Sequence, residues 1–149
     1  MKTITYNISI DVPHHETYEA FTSLGGMRSW WTNAISGNPE KGGELRLEFG
    51  MNRHVIFSVS AIKKNSLFAL TGIQSNFPQG EEWIGTTITF KVATNAKHHT
   101  SFSFTHEGWK DDAKFYTAAN KQWNARIQSL KKLCESGKGD PEIITLARK

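Results

Sequence analysis

By residue type and spacing, His106 is the side chain in this 149-residue sequence best placed to do chemistry. It closes a run over residues 98–106 in which Phe102, Phe104 and His106 fall on one face. An imidazole that titrates near neutrality would therefore point the same way as two phenyl rings. Two readings of it stay open. It either transfers protons inside an apolar cavity or bonds to backbone and fixes the turn that follows, since buried polar groups find partners. Glu107 does not join it, because alternation along a strand sends neighbours to opposite faces. Glu48 falls on an outward phase, and Glu81, Glu82 and Asp111 lie in or near loops; these carboxylates read as surface groups. His14-His15 and His98-His99 are adjacent pairs, which a strand splits between its two faces. No i, i+4 histidine pair or His-Glu-x-x-His pattern is present, so no metal is expected. The single cysteine, Cys134, excludes an internal disulfide and a multi-cysteine zinc site. It lies near the end of a helical pattern, where the helix dipole raises a thiol pKa and leaves it inert. There is no G-x-S-x-G elbow, Walker loop or dinucleotide fingerprint, and no cofactor is expected.

Aromatic side chains are the other chemical resource, with nine Phe, five Trp and three Tyr. Large rings can fill a core or line a pocket, and Trp and Tyr add a polar handle that orients a ligand. Phe49, Phe57, Phe90 and Phe104 fall on inward strand phases, and Trp109, Tyr116 and Trp123 follow them toward the C-terminus. Trp30-Trp31 is a separate signal. Two adjacent indoles do not easily share one buried face, so either one of them sits at a pocket rim or an interface, or one caps the core while the other packs under a loop.

Periodicity supplies the elements that must position these residues. Ile4, Tyr6, Ile8 and Ile10 alternate with polar residues over 3–10, as on a strand with one buried face. Asp11-Val12-Pro13 ends it. Two short helices are expected over 14–22 and 24–31. Gly42-Gly43 opens a strand with Leu45, Leu47 and Phe49 in phase, and Gly50-Met51-Asn52 reads as a hairpin turn. Val55, Phe57, Val59 and Ala61 form the returning strand, followed by a shorter one over 67–74 and a loop over 75–82. Strands are expected over 83–93, with Ile84, Ile88, Phe90 and Val92 in phase, and over 98–106. Tyr116, Ala119, Trp123, Ile127, Leu130 and Cys134 recur at steps of three and four, the stripe of one long amphipathic helix over 112–136. Gly137 suits its C-cap and Pro141 blocks its continuation. Residues 138–149 read as a loosely held tail.

Hydrophobic residues make up 38% and charged residues 21%, as in ordinary globular domains. The length allows one domain with a real core. The net charge of +4 is carried mostly by Lys131, Lys132, Lys138, Arg148 and Lys149. These suit the end of a helix and a frayed terminus better than a nucleic-acid stripe, so no nucleic acid is expected. No run of about 18 apolar residues suggests a membrane span, and no apolar block suggests a secretory signal. A cytoplasmic protein is the expectation. Short connections make the middle of the chain an antiparallel sheet whose apolar face the long helix must cover, an α+β layout.

This order of elements resembles the START-like (SRPBCC) helix-grip superfamily, and within it the group named for the activator of heat shock protein 90 ATPase. The resemblance is carried by Val12-Pro13 with Tyr18-Glu19-Ala20-Phe21, by Trp30-Trp31-Thr32, by Gly43 and by Gly85-Thr86 within the fifth strand. It continues in Phe104-Thr105-His106-Glu107-Gly108-Trp109 and in Trp123, Leu130 and Gly137, from about residue 3 to 139. It implies a helix-grip domain over 1–139, with a curved antiparallel sheet of about six strands wrapped around the C-terminal helix, two short helices after the first strand, and a tail over 140–149. It also implies an internal cavity for a small hydrophobic or aromatic ligand. The candidate lining is Trp30, Trp31, Phe49, Phe57 and Phe90, with Phe104, His106, Trp109, Tyr116 and Trp123. The alternatives are a cyclase, dehydratase or hydrolase using His106 as acid or base, and a stress-linked chaperone partner or homodimer. The N-terminal module through which the eukaryotic activator engages its chaperone has no counterpart here, which weakens the chaperone role.

Overall fold

A computed structural model describes residues 1–145. Leu146, Ala147, Arg148 and Lys149 lie outside the described residues, and with them two of the basic residues assigned to the terminus. The chain runs β1 (Lys2–Ile10), α1 (His14–Thr22), α2 (Leu24–Trp30), β2 (Ile35–Gly37), β3 (Glu44–Gly50), β4 (Arg53–Lys63) and β5 (Leu67–Ser75). It continues through α3 (Pro78–Glu81), β6 (Thr87–Thr94), β7 (Thr100–Trp109) and α4 (Tyr116–Ser136). The seven strands form one antiparallel sheet in the order β1-β7-β6-β5-β4-β3-β2. The count is one above the sequence expectation because β2 has three residues, too few to show a period.

Local chemistry explains the boundaries. Pro13 precedes α1 at φ −55°, and Thr17, Tyr18 and Phe21 are its buried positions. Ser23 caps α2 by accepting the Gly26 N–H at 3.0 Å. A Cβ on Gly26 would stand 2.2 Å from the Ala20 carbonyl oxygen, so glycine lets α2 lie against α1. α4 buries Ala119, Trp123, Ile127, Ser129 and Leu130, close to the predicted stripe. Gly137 ends it in the left-handed region at φ 86°, its N–H bonded to the Leu133 carbonyl, as the sequence suggests.

Four expectations are corrected. The strand placed over 83–93 begins at Thr87, because residues 78–81 form α3 and Gly85 turns at φ +84°. Gly85-Thr86 therefore precedes the strand, and Ile84, expected to face inward, is 45% exposed. The helix placed over 112–136 begins at Tyr116. Before it, the Glu82 carboxylate accepts the N–H groups of Lys114 and Phe115, both at 2.8 Å, so Glu82 secures the approach to the helix and is no free surface group. Finally, residues 138–145 do not hang loose. Gly139 is buried where a Cβ would meet the Ser29 carbonyl oxygen at 2.5 Å. From there the chain runs back across Trp31, Thr32 and Asn33.

Candidate functional site

β7 alternates inward through Thr100, Phe102, Phe104 and His106, and strict alternation would then send Trp109 outward. It does not, because Gly108 adopts φ +92° and the register against β1 slips there. This bulge spends one extra residue and returns Trp109 to the inner face, 4.6 Å from His106 between ring centroids. Trp83 meets the same imidazole edge-on at 4.9 Å. His106 is fully buried and uses both ring nitrogens. The Trp123 indole N–H donates to Nδ1 at 3.0 Å, and Nε2 lies 2.7 Å from the Thr86 hydroxyl. An indole can only donate, so Nδ1 accepts and the proton sits on Nε2. The Thr86 hydroxyl accepts the hydrogen bond from Nε2 and donates its own to the Trp83 carbonyl at 2.6 Å. Burial lowers the His106 pKa from 6.5 to about 3, so the ring stays neutral. His106 thus ties α4 to the turn at Thr86. The backbone-bonding role is replaced by side-chain bonds, and neither nitrogen remains free to move a proton.

The open space lies beside this network, between α4 and the β3 end of the sheet. Its walls are Trp31, Leu47, Phe49, Trp83, Ala119 and Trp123. Thr32, Glu48, Gln122 and Arg126 form the polar margin, and Glu142 and Ile144 close it from the C-terminal segment. The volume left is about 30 Å³, enough for water and too little for a larger molecule. Buried polar atoms normally find partners, yet the indole N–H groups of Trp83 at the cleft and of Trp109 in the core have none among the described residues.

Among the ten candidate lining residues, Trp31, Phe49 and Trp123 share this cleft. Phe57, Phe90 and Phe104 are fully buried behind it, Phe90 stacked on Phe21 and Phe104 packed 4.5 Å from Trp123. Trp30 and Trp31 are both buried and stacked at 5.4 Å, so adjacent indoles do share one buried region, with Trp31 also lining the cleft. α2 ends between them, with Trp30 its last residue and Trp31 its cap, and the Trp30 indole N–H donates to the Ala20 carbonyl at 2.9 Å. His106 and Trp109 belong to the core network. Tyr116, the first residue of α4, lies outside the cleft and donates to the Thr3 carbonyl at 3.0 Å. Sequence reasoning missed Trp83, Arg126, Glu142 and Ile144. A signal existed for Arg126, which lies one turn beyond Trp123 on the same helical face; none existed for the C-terminal pair.

A wider groove of about 780 Å³ opens near the start of α4. Glu81, Lys110, Asp112 and Lys114 on its walls are exposed, and it lacks the concave aromatic surface of the cleft. Among the described residues, no three His, Cys, Asp or Glu side chains cluster as metal ligands, and no helix is long and apolar enough to cross a membrane. Burial raises the Cys134 thiol pKa to about 11, the direction expected from its position but for a different dominant reason.

A seven-stranded antiparallel sheet closed by one long C-terminal helix, with a cleft between them, defines a helix-grip domain. The chain belongs to the family described as activator of Hsp90 ATPase homolog 1-like protein, whose profile matches residues 11–135. The Aha1 dimer from Colwellia psychrerythraea is similar at 31% identity and TM-score 0.80, with 93% of this chain and all of that one covered. A Staphylococcus saprophyticus protein aligns at 20% identity and TM-score 0.74, covering 95% of this chain and 98% of its own. A Bacillus halodurans protein aligns at 15% identity and TM-score 0.70, covering 91% and 98%. These last two share the fold. No curated protein matches the chain in sequence.

Proposed function

We propose that this protein binds a small hydrophobic or aromatic molecule in the cleft between α4 and β3. The observation that supports this best is the set of aromatic side chains lining the cleft, Trp31, Phe49, Trp83 and Trp123. Apolar burial at about 25 cal/mol per Å² would drive binding, and the polar margin would orient the ligand. At about 30 Å³ the cleft holds no such molecule until the segment carrying Glu142 and Ile144 moves aside. Enzymatic turnover is the weaker reading, because His106, its acid–base candidate, is saturated and outside the cleft. The lone half-buried thiol suits a cytoplasmic protein.

Native mass spectrometry of gently purified protein, with a titration of the neutral dye N-phenyl-1-naphthylamine, tests the proposal. The expected result is one small molecule or one dye per chain, lost in Ala119→Trp, which fills the cleft. Absence of both adduct and dye binding, in the native chain and in Asn33→Ala, overturns it.

Self-association is a second reading, favoured by one observation: the Colwellia psychrerythraea Aha1 is described as a dimer. Sedimentation at micromolar concentration should then give twice the chain mass.

A further inference from the structure

The C-terminal segment behaves as an occupant of the cleft. Glu142 bridges to Thr32, its N–H bonds the Trp31 carbonyl at 3.0 Å, and its carbonyl accepts the Asn33 N–H at 3.2 Å. The Asn33 side chain then holds Ile144 twice, accepting its N–H at 2.7 Å and donating to its carbonyl at 3.1 Å. In this extended segment Glu142 and Ile144, two residues apart, both face the cleft, while Ile143 between them is 71% exposed. The chain thus lays Ile144 on the margin of its own site, while Glu142 beside it is held through its backbone and is exposed.

Arg126 is the cation on the cleft margin. Its Nη1 donates to the Trp31 carbonyl at 3.2 Å and the Asp140 carbonyl at 2.7 Å. Its Nε and Nη2 donors have no partner among the described residues, and no ion pair among them includes Arg126. That open edge is the planar fork that holds an oxyanion by two parallel hydrogen bonds. Glu48 on the same margin is committed to Arg46.

We propose that the ligand is an amphipathic anion: a flat apolar body that replaces Ile144 against Trp31, Trp83 and Trp123, bearing an oxyanion held by the free edge of Arg126. This rests on the small-molecule reading above and adds the ligand's charge. The segment from Asp140 to Thr145 is then a strap that the ligand displaces.

Paired dyes test it on the full chain at low salt: the sulfonate 8-anilinonaphthalene-1-sulfonate and the neutral N-phenyl-1-naphthylamine, which shares its rings. The sulfonate should bind at least about tenfold tighter, as a hydrogen-bonded charge allows. Arg126→Gln should cut that ratio at least fivefold. Asn33→Ala, which loosens the strap, should tighten both dyes and leave the ratio unchanged. If Arg126→Gln fails to fold, Arg126→Lys replaces it, keeping the charge without the fork, with the ratio reduced at least threefold. An equal affinity for the two dyes, or a ratio unmoved by the Arg126 variant that folds, overturns the anion while small-molecule binding stands. Binding of neither dye, to the native chain or to Asn33→Ala, removes both.

Discussion

His106 shows how completely surroundings decide what a side chain does. In water its ring would titrate near neutrality and serve as an acid or base. Here Trp123 and Thr86 saturate it, and burial lowers its pKa to about 3. The neutral ring has a consequence for stability. The unfolded chain takes up a proton below 6.5 and the folded chain does not until about 3. The stabilisation is therefore fully present above pH 6.5 and is lost as pH falls from there toward 3. Between pH 7.5 and 5 the loss should be about 2 kcal/mol. Urea unfolding at the two pH values measures it, and His106→Gln, less stable at both, should show a difference smaller by that amount. An identical pH difference in the two proteins would mean that the imidazole is not buried as a neutral group.

At the scale of the element, one glycine decides whether β7 delivers Trp109 to the core in addition to Phe102 and Phe104. Gly108 holds φ +92°, a conformation that a Cβ disfavours by about 1–2 kcal/mol. Gly108→Ala should destabilise the fold by that order, read from the thermal midpoint. It should also shift tryptophan emission to the red as Trp109 loses its place beside His106. A variant as stable as the native chain would show that the bulge is not required. The start of α4 depends in the same way on Glu82, whose carboxylate receives two backbone N–H groups. Glu82→Ala should cost about 1 kcal/mol, the usual scale of a lost helix-end hydrogen bond, and speed amide exchange of Lys114 and Phe115.

Across the whole molecule, stability and access to the cleft are separable. The aromatic core runs from Phe21 and Phe68 through Phe90 and Phe104 to Trp123 and does not depend on residues 140–145. Those residues are held by backbone bonds, by Arg126, by the Lys132–Asp140 ion pair at 3.0 Å and by the Asn33 side chain. Most of these groups are exposed, and segments of that kind open locally at little free-energy cost. Asn33→Ala should therefore leave the global unfolding midpoint almost unchanged while amide exchange over residues 142–145 accelerates several-fold. Equal loss in both would make the strap part of the cooperative core and close the entry route proposed for the ligand.

The sequence by itself determined most of the architecture. Period-two runs such as Ile4 to Ile10, the three-and-four stripe from Ala119 to Leu130, and Gly137 as a left-handed cap report local rules that each residue obeys wherever it is placed. From these the antiparallel sheet, the closing helix and the family resemblance were all legible. Tertiary structure decided what local rules cannot carry. Whether Phe57, Phe90 and Phe104 line a space or fill it depends on how closely α4 approaches the sheet, and the rings close nearly all of that gap. The positive φ at Gly108, the saturation of His106 and the stacking of Trp30 on Trp31 depend on partners distant in sequence. The fold of residues 140–145 onto Asn33 spans more than a hundred positions and leaves no periodic signal, so the strap and the open edge of Arg126 become visible only in three dimensions.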